Sequence, residues 1–289
     1  MITREKPLGA ALRRTFTSQR PTLRHLDIHV TDHCNLGCKG CEHYSPLCEP
    51  AFADLGQTRR ELARLADLFE TIEQIYLLGG EPLLHPDVAS FVHAAREAFP
   101  QARVCLMTNG VLVTRMPDAV WEALRDTRAT LLCDDYPIRL PKDDIEALAA
   151  RWDVSVEWMP EAREFFTAPI QPEGTCDPDG SFTACQWLSN CAIIRDGRLF
   201  PCAHIAYADV PSERFGLPQL MPTDADSIDI FSAASGDEVI RFLTTPAPWC
   251  RFCDYEHTVT YAWDRTTRKP DEWIAPEWLA RHARRDDGG

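Results

Sequence analysis

Apolar residues recur along this chain in two rhythms. Residues 24–31 alternate, with Leu26, Ile28 and Val30 separated by Asp27 and His29, which predicts a buried first strand. A turn-rich stretch at 45–56, with Pro46, Pro50 and Gly56, gives way to residues 58–72. There Leu62, Leu65, Leu68 and Phe69 fall at helical spacing, and Thr58 with Glu61 has the form of a capping box. A strand at 75–78 follows, then a helix over 87–99 with Val88, Phe91 and Val92 on one face. The pattern continues with a strand at 103–107, a helix at 118–125, a strand at 129–133, a helix at 142–152 and a strand at 154–158.

Strands separated by helices of about a dozen residues imply βαβ units and a parallel sheet. Right-handed crossovers curl such a sheet toward a barrel. Five or six units are countable, fewer than the eight that close one, so the expected fold is α/β, a partial (β/α)6 barrel. Ligands of such sheets gather at strand C-terminal ends. Residues 160–183 lose all periodicity under Pro169, Pro172, Gly174, Pro178 and Gly180. Helical pattern returns near 238–243 and again around 272–284. The expected division is an arm at 1–23, the barrel at 24–160, a linker or lid at 161–184, a second unit at 185–258, and a C-terminal helix and tail at 259–289.

At 289 residues the chain has room for a large domain and a smaller one, and 45% hydrophobic with 26% charged residues is ordinary globular composition. The net charge of −14 argues against nucleic acid or anionic lipid as partners, for want of basic groups to neutralise phosphates. No run of eighteen apolar residues spans a membrane, and no export signal is visible, so a cytoplasmic location is expected. Twelve cysteines in such a chain read as metal ligands or reactive thiols rather than disulfides.

Three of these thiols, Cys34, Cys38 and Cys41, form C-x₃-C-x₂-C directly after the first strand. Thiolates on one short loop suit three corners of a cubane iron–sulfur cluster and leave its fourth iron open to chemistry. A zinc knuckle would call for paired C-x₂-C units and a fourth ligand nearby. A further mark is Gly79-Gly80-Glu81-Pro82, after the strand at 75–78. Together these resemble the radical S-adenosylmethionine (radical SAM) superfamily. The resemblance implies that the open iron chelates S-adenosylmethionine and that reduction splits it to a 5′-deoxyadenosyl radical. It also implies a flavodoxin- or ferredoxin-type electron donor. Gly79, Gly80 and Glu81 would meet the methionine group, and Asn109 and Asp134, at strand ends, the ribose. The residue before the last cysteine, usually aromatic and near adenine in that superfamily, is Gly40 here. His43 or Tyr44 is expected to take its place.

A second group follows. Cys185, Gly197 and Cys202 give C-x₁₁-G-x₄-C, with Asp196-Gly197 the predicted turn of a hairpin, and Cys250 and Cys253 add C-x₂-C. Four thiolates fully ligate one centre, zinc on spacing alone or iron–sulfur. Beside a radical SAM core the set resembles the twitch domain, a shortened relative of the SPASM domain, which implies an auxiliary [4Fe-4S] cluster. Cys191 is then left over and is expected to be a hydrogen donor, with Cys185 as the donor if the two assignments are exchanged. Cys176 is a weaker candidate, and Cys48, Cys105 and Cys133 read as structural. His204 and Asp209 are placed near substrate, and His33 caps the loop.

The resemblance extends to twitch epimerases of carbohydrate natural-product pathways, of the neomycin and hygromycin B type. It implies a radical epimerase acting on a carbinol carbon of a sugar or aminocyclitol. A dehydrogenase passing the second electron to the auxiliary cluster is the alternative. A peptide-modifying enzyme, or a zinc-stabilised binding module with no radical chemistry, are the remaining classes.

Overall fold

The computed structural model describes residues 20–161, 164–185 and 192–286. The chain opens with β1 (Thr22–Thr31), α1 (Leu55–Leu68), β2 (Thr71–Gly79), α2 (Val88–Ala98), β3 (Arg103–Thr108), α3 (Asp118–Thr127), β4 (Thr130–Cys133), α4 (Lys142–Trp152) and β5 (Val156–Trp158). Strands β1 to β5 are parallel neighbours. Leu26, Ile28 and Val30 of β1 join Leu62 and Leu65 of α1, Phe91 of α2 and Leu124 of α3 in one continuous core. Period-two alternation therefore sends these β1 side chains toward the helices and leaves His25, Asp27, His29 and Thr31 on the other face, also buried.

The second half contains β6 (Glu164–Thr167), α5 (Pro178–Ala184), β7 (Ile193–Arg195), β8 (Arg198–Phe200), α6 (Ala203–Ala206), α7 (Asp209–Phe215), β9 (Ile228–Asp229), α8 (Gly236–Leu243), β10 (Val259–Ala262) and α9 (Pro276–Asp286). Strand β7 pairs in parallel with β1 on the side away from β2, so the main sheet among the described residues runs β5-β4-β3-β2-β1-β7-β8-β9. This is the mostly parallel α/β sheet of a partial barrel. Its sixth parallel strand is one arm of the β7–β8 hairpin and not the end of another βα unit. The hairpin turns on Asp196 and Gly197, both at positive φ (52° and 75°), as a two-residue type I′ turn requires.

Three expectations shift. The N-cap of α1 is Asp54, which accepts from the Gln57 N–H at 2.7 Å. Glu61 instead accepts from the hairpin amide of Gly197 at 2.6 Å. The described part of the expected linker or lid at 161–184 is tied to later segments: β6 pairs with β10, and the Ile170 N–H donates to the Trp273 carbonyl at 2.7 Å. The second unit is also not confined to 185–258. Its core joins Tyr44, Ile170, Ile193, Phe200, Trp249, Phe252, Trp273 and Ile274. Among the described residues no helix is long and apolar enough to cross a membrane.

Candidate active site

The loop after β1 bends through Gly37 and Gly40, both at positive φ (68° and 60°), and carries Cys34, Cys38 and Cys41 half-buried and unpaired. Its sulfurs are met by donors. The Leu36 N–H donates to Cys34 Sγ at 3.4 Å, Asn109 Nδ2 to the same sulfur at 3.6 Å, and Trp263 Nε1 to Cys38 Sγ at 3.2 Å.

The segment 261–273 clasps this loop from outside. The Lys39 N–H donates to the Asp264 carbonyl at 2.9 Å and the Thr266 N–H to that of Gly37 at 3.0 Å. Trp273 Nε1 donates to the Cys41 carbonyl at 3.0 Å. The Tyr261 hydroxyl donates to the Lys39 carbonyl at 3.1 Å and fills the space that a side chain at position 40 would enter. Composition and periodicity gave no hint of this clasp. Its pairing with the loop lies more than 220 positions away in sequence.

Gly79 and Gly80 seat the end of β2 against the start of the loop. A Cβ at Gly79 would overlap the Thr31 carbonyl, and one at Gly80 the His33 carbonyl. The amides of Gly80 and Glu81 donate to those same two carbonyls, at 2.8 and 3.0 Å. Glu81 is fully buried. Its carboxylate accepts from Thr108 Oγ1 (2.7 Å), the Asn109 N–H (2.9 Å) and the Leu83 N–H (3.1 Å), joining the β2 turn to the end of β3. Burial outweighs these bonds and pushes its pKa up to about 7. Asn109 Nδ2 also donates to Asn35 Oδ1 at 2.7 Å, so this side chain braces the cysteine loop. Asp134 follows β4, its carboxyl pushed up to about 7 by burial and by the charge of Glu81. Tyr136 stacks on Phe165 (5.8 Å between centroids), its hydroxyl close enough to all three thiols to feel their charge.

Burial pushes Cys38 and Cys41 up to about 12 and about 11, and the charges of neighbouring thiols add to the shift. Among the described residues no three His, Cys, Asp or Glu side chains converge on one ion. A single zinc ion draws its thiolates to about 2.3 Å from one point, whereas a cubane takes each on a different iron. Three neighbouring, separately placed thiols with N–H donors aimed at their sulfurs fit the larger group.

The second group assembles as well. Cys202, Cys250 and Cys253 pack on the second core. The charge of Cys185 acts on all three. Burial pushes Cys250 up to about 11. The Cys185 thiol donates to the Tyr255 hydroxyl at 3.2 Å. Cys176 lies near Cys253, beside a cavity of about 540 Å³ lined by Gln171, Asp177, Ser181 and Tyr255. Cys191 lies outside the described residues.

Other expected residues fall as follows. Cys105 and Cys133 are buried on β3 and β4, and Cys48 donates to the Tyr44 carbonyl at 3.5 Å. His33 Nδ1 hydrogen-bonds Thr31 Oγ1 at 2.9 Å. Asp209 is taken up in a two-pronged ion pair with Arg195, at 2.8 and 2.9 Å. His204 is half-buried with its ring against Tyr44, its pKa pushed down to about 4 by loss of solvent around the imidazole. Tyr44 is the clear correction. It offers no face to a nucleobase, because its ring is fully enclosed in the second core with Trp273 and His204. His43 is half-buried and turned edge-on to His29 at 4.6 Å. The position beside Gly40 belongs to Tyr261.

Residues 28–138 match the family described as the radical SAM superfamily. GTP 3′,8-cyclase of Chlorobaculum tepidum is 36% identical over 102 residues, covering 35% of this chain and 30% of that protein. Molybdenum cofactor biosynthesis protein 1 of Bos taurus is 37% identical over 114 residues, covering 38% of this chain and 17% of its own length. The chain thus spans less than a third of these curated relatives. Among solved structures, BtrN in complex with AdoMet and 2-DOIA is similar at a TM-score of 0.47 and 15% identity, over 89% of this chain and 100% of the other. AnSMEcpe with bound AdoMet is similar at a TM-score of 0.45 and 13% identity, over 81% and 88%.

Proposed function

We propose that this chain, which carries a radical SAM superfamily domain over residues 28–138, is a two-cluster epimerase acting on a carbinol carbon of a sugar or aminocyclitol of the aminoglycoside type. The observation that supports this most is the packing of Cys202, Cys250 and Cys253, with the charge of Cys185 acting on them, against a core that also receives the cysteine loop through Tyr44 and Trp273. Four thiolates would hold an auxiliary [4Fe-4S] cluster of the twitch type, and Cys34, Cys38 and Cys41 would hold the first cluster. When bound, that first cluster and S-adenosylmethionine supply a hydrogen-abstracting adenosyl radical, on reduction by a flavodoxin- or ferredoxin-type donor.

The chain's own residues do the remainder. The Gly79-Gly80-Glu81 turn keeps a backbone surface close beside the loop that would take the methionine group, and Asn109 and Asp134 would meet the ribose. Tyr261, Tyr136 and Trp263 wall the loop against water. The polar face of β1 supports a polyhydroxylated substrate. His29 Nε2 and His204 Nδ1 are enclosed without a hydrogen-bond partner among the described residues, and buried polar atoms of that kind are normally satisfied by a hydroxyl or water. Burial keeps both imidazoles neutral, so each ring offers one donor and one acceptor. Cys191, six positions beyond Cys185, returns hydrogen to the opposite face of the carbon.

The dehydrogenase reading has one observation in its favour. Cys41, Trp273 and Tyr44 form a short packed route between the two thiol groups, along which an electron taken up by the second centre from the substrate radical would return to the first. Turnover in deuterated water separates the two. Epimerisation gives an inverted carbon carrying one solvent deuterium, and oxidation gives a ketone with none. A ketone as the product of the wild-type protein would overturn the epimerase reading.

A further inference from the structure

Tyr44 stands three positions after Cys41 with a φ of 52°, a left-handed conformation that a bulky residue seldom adopts. The loop holds it there. Its N–H donates to the Cys41 carbonyl at 3.0 Å, and its carbonyl accepts from the Leu47 N–H at 2.7 Å and the Cys48 thiol at 3.5 Å. This turn delivers the ring into the second core, among Ile170, Ile193, Phe200 and Trp273. Every contact of the ring there would serve a phenylalanine equally well.

The hydroxyl is what differs. It is fully buried and has no hydrogen-bond partner among the described residues, a condition native structures rarely leave unmet. The charges that act on it most strongly are those of Cys253 and then Cys202, two of the four gathered thiols. A thiolate or sulfide sulfur at that group would be an acceptor for the O–H, which no oxygen or nitrogen among the described residues meets.

We infer that Tyr44 donates its O–H to a sulfur of the centre held by Cys202 and Cys253, so that a residue of the first cysteine loop sets the reduction potential of the second centre. The inference rests on the auxiliary-cluster reading above. A hydrogen bond to cluster sulfur stabilises the reduced, more negative state and raises the potential. Tyr44 is thus a positioning and tuning residue; it touches no substrate.

The test is Tyr44→Phe, which removes only the oxygen, in anaerobically reconstituted full-length protein. Its redox titration is followed by electron paramagnetic resonance, alongside iron counts. The expected result is unchanged iron, an unchanged first centre, and a second centre about tenfold harder to reduce, a shift of about −59 mV for one electron. As a check that does not depend on the variant folding, the wild-type protein exchanged into deuterated water is expected to show shifted Fe–S stretching bands from the second centre. Equal second-centre potentials in the Tyr44→Phe variant and the wild-type protein, both carrying about eight irons, would overturn the Tyr44 bond alone, as would the absence of any isotope shift. About four irons in the wild-type protein would remove the second centre and this inference with it.

Discussion

Gly80 lies so close to His33 that a single added methyl group would overlap the His33 carbonyl oxygen. The obstacle is backbone and not a flexible side-chain end, so the neighbour cannot swing aside. Gly80→Ala is therefore expected to cost about 3 kcal/mol or more, at the upper end for overpacking, and to displace the start of the cysteine loop. Chemical denaturation measures the first effect. Iron content after reconstitution, expected to fall by at least half, measures the second. A variant with wild-type stability and iron would show that the β2 turn does not seat the loop.

Glu81 gives a pH dependence with a definite sign. Its pKa stands near 7 in the folded chain against an ordinary 4.5, raised by burial. Between these values the folded state holds the extra proton, so the contribution of Glu81 to stability is fully present below about 4.5 and is lost as pH rises through 7. The loss is on the order of 3 kcal/mol for this group. Denaturation midpoints of the metal-free protein from pH 4.5 to 8 are expected to fall accordingly, and Glu81→Gln is expected to flatten that part of the profile. An unchanged slope in the variant would assign the dependence to other groups.

Much of the barrel half was legible because its signals are local. Alternation on β1, helical spacing on α1 to α4, and Asp-Gly turn chemistry at 196–197 each act within a few residues. What was not legible depends on distance. Glu61 has the spacing of a capping box, yet its carboxylate answers the amide of Gly197, 136 positions away. Strand β10 is largely exposed, so it carries no alternation, although its hydrogen bonds to β6 and its Tyr261 hydroxyl organise the loop. Gly40 looked like a missing aromatic, with His43 or Tyr44 its nearest replacements in sequence; in space the aromatic at that position is Tyr261.

That substitution in space is itself testable. Gly40→Tyr would place two rings in one volume at a backbone φ of 60°, which only glycine adopts freely. Gly40→Tyr is expected to abolish loading of the first cluster, while the paired change Gly40→Ala with Tyr261→Ala recovers more iron than Gly40→Ala alone. Equal iron in the last two would show that Tyr261 is not the residue that excludes a side chain at 40.

Trp263 donates to Cys38 Sγ at 3.2 Å from outside the family-matched stretch. Trp263→Phe keeps an aromatic ring and removes the N–H. The expected result is a first centre that still assembles but is harder to reduce, by roughly a tenfold change in its reduction equilibrium. The second centre is expected to be unaffected, and electron paramagnetic resonance at poised potentials distinguishes the two.

The central claim is that two thiol groups hold two clusters, and that only the first cleaves S-adenosylmethionine. The most direct measurement compares the wild-type protein with Cys34→Ala/Cys38→Ala/Cys41→Ala, both purified and reconstituted without oxygen. Iron is counted, and 5′-deoxyadenosine is measured after adding S-adenosylmethionine and a strong reductant. The expected result is about eight irons with 5′-deoxyadenosine released by the wild-type protein, and about four irons with none released by the variant. A wild-type protein that binds no iron at the 34–41 loop, or that releases no 5′-deoxyadenosine when fully loaded, would contradict the claim.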